Sequence, residues 1–523
     1  MSQVLGLVIK RLLVSIFGAS NTLGIYNYAS ILPDTIFQLT IAAALASAFI
    51  PVFSEYIVKG KEKEGHKMAS TLLSVGLVIF LFISILLGIF APTSIGIFNL
   101  GANFSPEDMI LMTNLMRIII VGQMLFIIGT FFTAMLQSYN HFFIPGIAAA
   151  MYNLGIIIGI FFLHSYFGIY SAPIGVIIGS LIFIIVQIPL ARKMGFHFRP
   201  SFSYLRSDGI QKILRLMWPR TIQVGIQQAG TISIAATIAF MSDPGRMHLL
   251  FDYAKVIMFA PVSLIGFSIA QASFPVLSRE KNSLENFKLT FISSFKQMLY
   301  LILPISIIIL ILRIPIVRLL YGADMFDWDA TVLTGRTLAF LSLSIFAQGL
   351  IVLFYRAFYA LHNSMIPLIT SAASTTFLMV LGYIMVVLND MGIESIALAF
   401  SLANLLQLIL LFILLDRKTG GFDKKSLLKS LTKFFFATVM TAFALYIPIK
   451  LLDQLVFDTT LTINLIILTG ISSFAGLSFY LFLTWLFNIR EANTYIEICK
   501  NIGNWRDILK KSDEVIDPNR TSS

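Results

Sequence analysis

Charged residues are scarce in this sequence: they make up 12% of its 523 residues, whereas a soluble domain carries about 25%. Hydrophobic residues account for 57%, and the mean hydropathy is +0.87. This composition excludes a soluble globular protein and indicates a polytopic membrane protein. The net charge of +11 does not indicate nucleic-acid binding, because the basic residues lie between apolar runs, where membrane topology accounts for them.

Cysteine and the common catalytic motifs are also scarce or absent. The single cysteine, Cys499, excludes an intramolecular disulfide and a cysteine-based metal cluster. The six histidines show no metal-ligand spacing, and we expect neither a metal nor another cofactor. His66 stands where a nucleotide-binding loop requires lysine, which excludes ATP hydrolysis by that loop. No basic segment precedes the first apolar run, so no cleavable signal peptide is predicted.

Apolar runs long enough to cross a bilayer, which takes about 20 residues, recur along the whole sequence. Fourteen spans are predicted, approximately 2–17, 22–57, 68–91, 109–137, 142–164, 170–191, 210–241, 247–276, 288–312, 330–361, 364–388, 392–415, 431–452 and 461–487. The second is too long to cross straight, and we expect it to tilt or to kink at Pro33. The predicted fold is an all-α polytopic membrane protein with about fourteen transmembrane helices.

The distribution of lysine and arginine predicts how these spans are oriented. Segments 58–67, 192–220, 277–296, 416–433 and 488–523 contain 27 of the 37 basic residues. The opposite loops contain only Arg246, Arg313, Arg318 and Lys450. Because basic loops remain on the cytoplasmic side, we expect both termini to be cytoplasmic.

An internal repeat is predicted from landmarks that recur at offsets of 221 to 224 residues. The pairs are Pro51 and Pro275, Gly101 and Gly322, and Pro145 and Pro367. Such an offset contains six spans, so the copies share one orientation, as in transporters built from parallel repeats around a midplane site. The sequence predicts an N-lobe (1–195, helices 1–6), a C-lobe (196–418, helices 7–12) and two final helices within 419–487. Residues 488–523 predict a cytoplasmic amphipathic helix followed by a disordered tail, a soluble tail helix being the alternative.

Ionisable residues inside the predicted spans are the candidates for a substrate site. A charge at the bilayer centre costs about 2.5–3.5 kcal/mol on insertion scales, so it usually faces a cavity or a partner. The predicted cavity residues are Lys10, Arg11, Asp34 and Lys255. The predicted secondary cavity or gate residues are Gln3, Arg117, Gln228, Arg336 and Arg356. Snorkelling is the alternative for the three arginines of that second set, and hydrogen bonding between helices is the alternative for Gln228.

A set of short motifs, in order along residues 2–487, resembles the MurJ/MviN family. The set includes Val4-Leu5-Gly6, Ile16-Phe17-Gly18-Ala19, Leu32-Pro33, Ala48-Phe49-Ile50-Pro51, Phe274-Pro275-Val276-Leu277-Ser278-Arg279 and Arg356-Ala357-Phe358-Tyr359-Ala360-Leu361. The resemblance implies a lipid II flippase of peptidoglycan synthesis in the bacterial cytoplasmic membrane. It also implies the fold of the multidrug/oligosaccharidyl-lipid/polysaccharide exporter superfamily, with two six-helix lobes around a cationic cavity and a lipid-tail groove at helices 13 and 14.

The sequence departs from the family at the positions where cavity-facing basic residues are expected. Gln3, Ile9, Phe37 and Val256 occupy those positions, and all four are uncharged. Lys10 and Lys255 each lie one residue away from such a position, which on a helix is a rotation of about 100°. The acid expected early in helix 2 is replaced by Gly24, with Asp34 further along.

The predicted function is translocation of a polyprenyl-diphosphate-linked saccharide, by resemblance lipid II, through alternating access of the two lobes. Lys10 and Lys255 are expected to contact the diphosphate, and Asp34 to pair with one of them in the absence of substrate. The alternative is that Lys10 snorkels and Lys255 pairs permanently with Asp34 as a structural contact. Three alternatives stay open: a drug antiporter with Asp34 as its ion site, a non-transporting scaffold for cell-wall enzymes, and a transferase. The transferase would use the outer-loop residues Asp324, Asp327 and Asp329.

Overall fold

The computed structural model describes residues 2–42, 45–323, 325–455, 462–489 and 491–492. Across these residues the regular secondary structure is helical. The predicted amphipathic helix of the C-terminal segment, Cys499 and Asp324 lie outside the described residues. The all-α fold class predicted from the composition and the apolar runs is therefore confirmed.

Nineteen α-helices occur in the described part of the chain. The first ten are α1 (Ser2–Phe17), α2 (Asn21–Phe37), α3 (Ile50–Val58), α4 (Glu62–Ile89), α5 (Ala91–Ile97), α6 (Pro106–Ser138), α7 (Phe143–Phe167), α8 (Ser171–Lys193), α9 (Asp208–Ile238) and α10 (Pro244–Pro261). The others are α11 (Phe267–Arg279), α12 (Leu284–Ile311), α13 (Arg313–Tyr321), α14 (Trp328–Ser342), α15 (Ile345–Ala360), α16 (Met365–Tyr383), α17 (Ile393–Lys418), α18 (Lys424–Leu455) and α19 (Thr462–Leu486).

Each of the fourteen predicted spans coincides with one of these helices or with a helix interrupted by irregular turns. By length and composition, nine helices of the described residues can cross a membrane, or ten if α14 and α15 count as one span. In that count α7 and α8 form one continuous segment. The predicted span 330–361 is broken between Ser342 and Ile345, and the short helices α5 and α13 occupy regions that were predicted to be loops.

The two long kinked helices change their geometry at matching places. Helix α2 continues through Pro33 as a regular α-helix, and wider π-helical turns follow at Gln38–Ala42 and Leu45–Phe49. The second kinked helix has a π-helical turn at Val262–Gly266, directly after Pro261. A π turn interrupts the regular hydrogen-bond ladder and is one of the identifiable causes of helix bending. The irregular geometry therefore begins after Phe37 rather than at Pro33.

The helix boundaries repeat along the chain at a constant offset. Five pairs begin 222 residues apart: α4 and α12, α5 and α13, α6 and α14, α7 and α16, and α8 and α17. The first and third π turns begin 224 residues apart, at Gln38 and Val262. The same order of elements therefore occurs twice, which is the pattern that an internal duplication produces. The predicted lobe boundaries near 195 and 418 stay a prediction.

The helices group into two compact units. The first contains Met1–Met258, Arg313–Ser344 and Asn363–Leu411, and the second contains Phe259–Leu312, Ile345–His362 and the chain from Phe412 onward. In the first unit, Gly155 and Gly159 of α7 lie against the backbone of Gly179 and Gly175 of α8. Small residues at such positions let membrane helices approach closely, so that backbone packing replaces the hydrophobic effect that lipid cannot supply.

The second unit has an aromatic core of its own. The ring of Phe291 on α12 lies 5.0 Å from that of Phe354 on α15 and 5.6 Å from that of Phe422. Tyr480 of α19 donates its hydroxyl to the carbonyl of Tyr300 on α12 at 3.0 Å. Aromatic pairs and a satisfied buried hydroxyl hold α12, α15 and α19 together.

Candidate substrate cavity

A cavity of about 620 Å³ lies inside the first unit, lined mainly by α1, α2, α6, α9 and α10. This volume is within the range of protein sites that bind small ligands, and it can therefore hold the head group of a larger one. Its walls combine apolar and polar side chains, and charged or titratable groups face it at Lys10, Asp34, His248, Asp252 and Lys255. A charged group in such a site stays away from the lipid while it faces a space large enough for a ligand.

Lys10 forms an ion pair across this cavity with Asp252 of α10. The Nζ atom of Lys10 lies 2.5 Å from Oδ2 of Asp252, and the two side chains are 26% and 34% exposed. The same Nζ lies 4.7 Å from the ring centroid of Tyr253, whose hydroxyl donates to the Lys10 carbonyl at 3.0 Å. The pair therefore joins α1, predicted for the N-lobe, to α10, predicted for the C-lobe, and it remains accessible to an entering ligand.

Asp252 is a cavity residue that sequence reasoning missed. It is an acidic residue inside the predicted eighth span, so the criterion that selected Lys255 also applies to it. Asp252 and Lys255 are three residues apart on α10, which places them on one face of the helix. The sequence therefore contains the signal for Asp252, whereas the predicted partner of the cavity lysines is Asp34 on helix 2.

Asp34 is held by an amide rather than by a lysine. Gln123 of α6 donates its side-chain N–H to Oδ1 of Asp34. Among the ion pairs of the described residues, Lys10 has Asp252 as its partner and Asp34 has none. The predicted pairing of Asp34 with a cavity lysine is therefore wrong. Gln123 of α6 donates a hydrogen bond to the Asp34 carboxylate, and Lys10 forms its ion pair with Asp252.

The formal charges of the cavity balance. Lys10 and Lys255 contribute two positive charges, and Asp34 and Asp252 contribute two negative ones. The resemblance implied a cationic cavity, and two of the family's basic positions, Ile9 and Phe37, are apolar parts of this cavity's lining. An anion that enters must displace Asp252 to reach Lys10, whereas no ion pair of the described residues involves Lys255.

Of two other predicted residues, Gln228 faces the cavity and Arg11 does not. Gln228 lines the cavity, and its side-chain oxygen accepts the hydroxyl of Thr35 at 3.3 Å. Arg11 is not part of the lining, and it donates to the carbonyls of Leu319 at 2.9 Å and Gly322 at 3.4 Å. Arg11 follows Lys10 on the helix and so projects about 100° away from it. Its contacts tie α1 to α13.

The remaining predicted residues also lie outside the cavity lining. Gln3 is exposed. Arg117 donates Nε to the carbonyl of Gly88 at 3.0 Å, and Arg336 lies 4.0 Å from a carboxylate oxygen of Glu394. These two arginines therefore have partners on neighbouring segments of the first unit.

Arg356 belongs to the second unit. Its guanidinium donates to the side-chain oxygen of Gln271 at 2.9 Å and lies 5.4 Å from the ring centroid of Phe274. Both partners are on α11, so Arg356 connects α15 to the second kinked helix. The secondary set predicted from the sequence therefore contributes only Gln228 to this cavity.

Backbone contacts join segments of the first unit at one end, on the side that the loop charges predict to be outer. Gly24 of α2 lies against the backbone of Gly245, where an added Cβ would overlap Gly245 itself. The Gly245 N–H donates to Oδ1 of Asn21 at 3.0 Å, and the N–H of Ala19 donates to the carbonyl of Met325 at 3.3 Å. An acid at position 24 does not fit this contact, which gives a physical reason for the glycine.

Two of the outer-loop aspartates have structural partners. Asp327 caps α14 by accepting the N–H of Ala330 at 2.7 Å. Arg246 lies 2.9 Å from Asp327 and 3.1 Å from Asp329. These carboxylates fix the start of α14 and the start of α10, which accounts for them without a transferase reaction.

Comparison with known proteins decides the family. The sequence model described as "Lipid II flippase MurJ" matches residues 13–467. The chain belongs to the MurJ lipid II flippase family. A probable lipid II flippase MurJ of Buchnera aphidicola subsp. Acyrthosiphon pisum is 26% identical over 509 residues, covering 94% of this chain and 96% of that protein. The family predicted from the ordered motifs is confirmed.

Solved structures share the fold of this chain. A lipid II flippase MurJ in an inward closed conformation superposes with a TM-score of 0.76 at 23% identity, covering 93% of this chain and 96% of that one. An inward-facing multidrug resistance MATE family transporter gives 0.67 at 14% identity, covering 80% and 95%. At these identities the likeness shows the fold alone. The chain is a multi-pass membrane protein of a family of flippases, which are transporters and not enzymes.

Proposed function

We propose that this chain translocates lipid II, a polyprenyl-diphosphate-linked saccharide, across the cytoplasmic membrane by alternating access. The observation that carries the proposal is the cavity of about 620 Å³ with Lys10 and Lys255 in its wall, in a chain of the MurJ family. A sugar-diphosphate head cannot enter hydrocarbon unaided, because its polar groups would lose their hydrogen bonds. A cavity with two lysines can hold the head while the polyprenyl tail stays in lipid.

In the proposed mechanism, the diphosphate exchanges with Asp252 at the Nζ atom of Lys10. Asp252 offsets the cost of a lone buried charge when no substrate is present. Lysine offers three donors on a compact charge, without the bidentate fork of arginine, so it releases a phosphate readily. Because Lys10 is on α1 and Asp252 on α10, breaking their pair changes the relative stability of the two access states.

An ion gradient, the membrane potential or the substrate gradient would drive the cycle, since the sequence contains no nucleotide-binding loop. The chain contributes no covalent step, and it binds and releases a charged head on opposite sides of the membrane. Cell-wall synthesis proteins are candidate partners because they consume the translocated precursor.

Depletion of the protein in its native host tests this function. We expect lipid II to accumulate on the inner leaflet, where an externally added lipid II-cleaving enzyme cannot reach it. A strain that expresses the wild-type chain from a plasmid is the control. Accumulation of a different lipid-linked precursor, or unchanged exposure of lipid II on the outer leaflet, contradicts the proposal.

The proposed orientation, with both termini cytoplasmic, predicts a labelling pattern. In a Cys499→Ser background, Ala102→Cys is expected to react with a membrane-impermeant thiol reagent added to intact cells. Lys61→Cys and Lys424→Cys are expected to react only after permeabilisation, because they lie in basic loops. Labelling of Lys424→Cys from outside intact cells contradicts this topology.

A further inference from the structure

A second cavity lies within the second unit, at the first turns of α18 and just beyond the end of α19. Its volume is about 560 Å³, and its lining includes Lys425, Lys429, Lys433, Leu428, Phe436 and Phe487. The predicted topology places this region on the cytoplasmic side, where α18 enters the membrane. The cavity shares no residue with the one that contains Lys10 and Lys255.

Two parallel rows of side chains form this cavity along α18. Lys425, Lys429 and Lys433 follow one another at intervals of four residues, and so do Leu428 and Phe436 with Thr432 between them. Residues four apart are neighbours on one face of a helix. A basic row therefore runs directly beside a mainly apolar row, which is the pattern that an amphiphile with an anionic head matches.

Contacts to the end of α19 fix the inner part of the cavity. Lys433 donates from Nζ to the carbonyl of Phe487 at 2.7 Å. The ring of Phe436 meets the ring of Phe487 edge-on, with 5.7 Å between their centroids. Leu428 remains 66% exposed and Phe436 remains 50% exposed. The apolar row is therefore built into the fold but only half covered by it.

The positive charges of Lys425 and Lys429 are not neutralised by the acidic residues near them in sequence. Asp416 lies 3.1 Å from Lys424, and Oδ1 of Asp423 accepts the backbone N–H groups of Lys425 and Ser426. Among the ion pairs of the described residues, none involves the ammonium groups of Lys425 or Lys429. Lysines close to a membrane surface attract anionic lipid head groups.

We infer that this cavity binds an anionic phospholipid of the inner leaflet, with its phosphate on Lys425 and Lys429 and its acyl chains over Leu428 and Phe436. Charge complementarity selects this occupant. The chain's own segment 493–523 contains five basic and five acidic residues, so it brings no net negative charge to the lysines. A free phosphate would leave the apolar row exposed.

Quenching of Trp485 by brominated lipids tests the inference, because Trp485 is two residues before Phe487 and is exposed. The full chain carries Trp218→Phe, Trp328→Phe and Trp505→Phe and is reconstituted in phosphatidylcholine vesicles. Brominated phosphatidylglycerol or brominated phosphatidylcholine is then added in increasing amounts. We expect phosphatidylglycerol to bind roughly tenfold more strongly, since each lysine near the surface favours an anionic lipid.

Variants identify the groups responsible. Lys425→Gln combined with Lys429→Gln is expected to abolish the preference for phosphatidylglycerol, so that the two lipids bind about equally, with the helical content of the protein unchanged. Lys450→Gln, at the opposite end of α18, is the matched control and is expected to keep the tenfold preference. Equal binding of the two lipids to the parent protein, or an unchanged preference in the double variant, overturns the inference.

Two further arms distinguish other occupants. Inorganic phosphate at millimolar concentration is expected to leave the preference unchanged, and its loss there identifies a site for small anions instead. Deletion of residues 493–523 is also expected to have no effect. If the preference for phosphatidylglycerol is seen only after this deletion, the cavity is the binding site of the C-terminal segment, and the inference fails.

Discussion

Lys255→Ala is expected to lower lipid II translocation roughly 10- to 100-fold while the protein still inserts and folds. Lys255 lines the cavity one helical turn from Asp252, and we propose that it contacts the diphosphate. Losing a hydrogen bond to a charged group costs about 1.5–3 kcal/mol, and each 1.4 kcal/mol is about tenfold. Translocation in reconstituted vesicles measures the effect. Lys255→Arg is expected to retain part of the activity, because the charge remains.

Lys10 requires a double variant, because its ion pair with Asp252 has two explanations. If the pair only stabilises the fold, Lys10→Ala is harmful because it leaves Asp252 alone, and Asp252→Ala added to it restores transport. If Lys10 binds the diphosphate, the double variant stays inactive. We expect the second result, with Lys450→Ala as the control for loss of a basic residue elsewhere. Normal translocation by both Lys10→Ala and Lys255→Ala, at wild-type expression, contradicts the proposed site.

Gly24→Ala is expected to open the outer contact of the first unit and to reduce transport more than tenfold. The added methyl group would overlap the backbone of Gly245, which is not a flexible side chain that can move aside. Helices α2 and α10 must therefore separate, although alanine favours a helix by about 1 kcal/mol over glycine. Gly88→Ala is the matched control, since its Cβ would meet no heavy atom within 4 Å.

A disulfide across the neighbouring backbone contact, between positions 19 and 325, reports directly whether this end of the first unit stays together. The N–H of Ala19 reaches the carbonyl of Met325, so Ala19→Cys with Met325→Cys is expected to cross-link in a Cys499→Ser background. Gly24→Ala is expected to lower the cross-linking yield, and Gly88→Ala is not. An equal yield in both variants contradicts the role assigned to Gly24, whatever the transport rates are.

Several of the cavity side chains can be predicted from the sequence, because a polar residue inside an apolar run is recognisable from its own segment alone. Lys10, Asp34, Lys255 and Gln228 were selected as polar residues inside apolar runs, and all four line the cavity. Their binding roles stay predictions. Arg11 met the same criterion, but it contacts carbonyl groups near α13. Because a buried charge is costly, each of these residues needs either a polar partner or a cavity, but the sequence does not show which of the two it has.

The sequence by itself determined the membrane class, the positions of the fourteen helical segments, the repeat and the family. These properties depend on one segment at a time, because the bilayer selects each apolar run by its length and hydropathy. Only the tertiary structure decided that Lys10 pairs with Asp252, 242 residues away, and that Gly24 meets Gly245. Those contacts depend on how helices far apart in sequence rotate and pack against each other, and a rotation by one residue turns a side chain by about 100°.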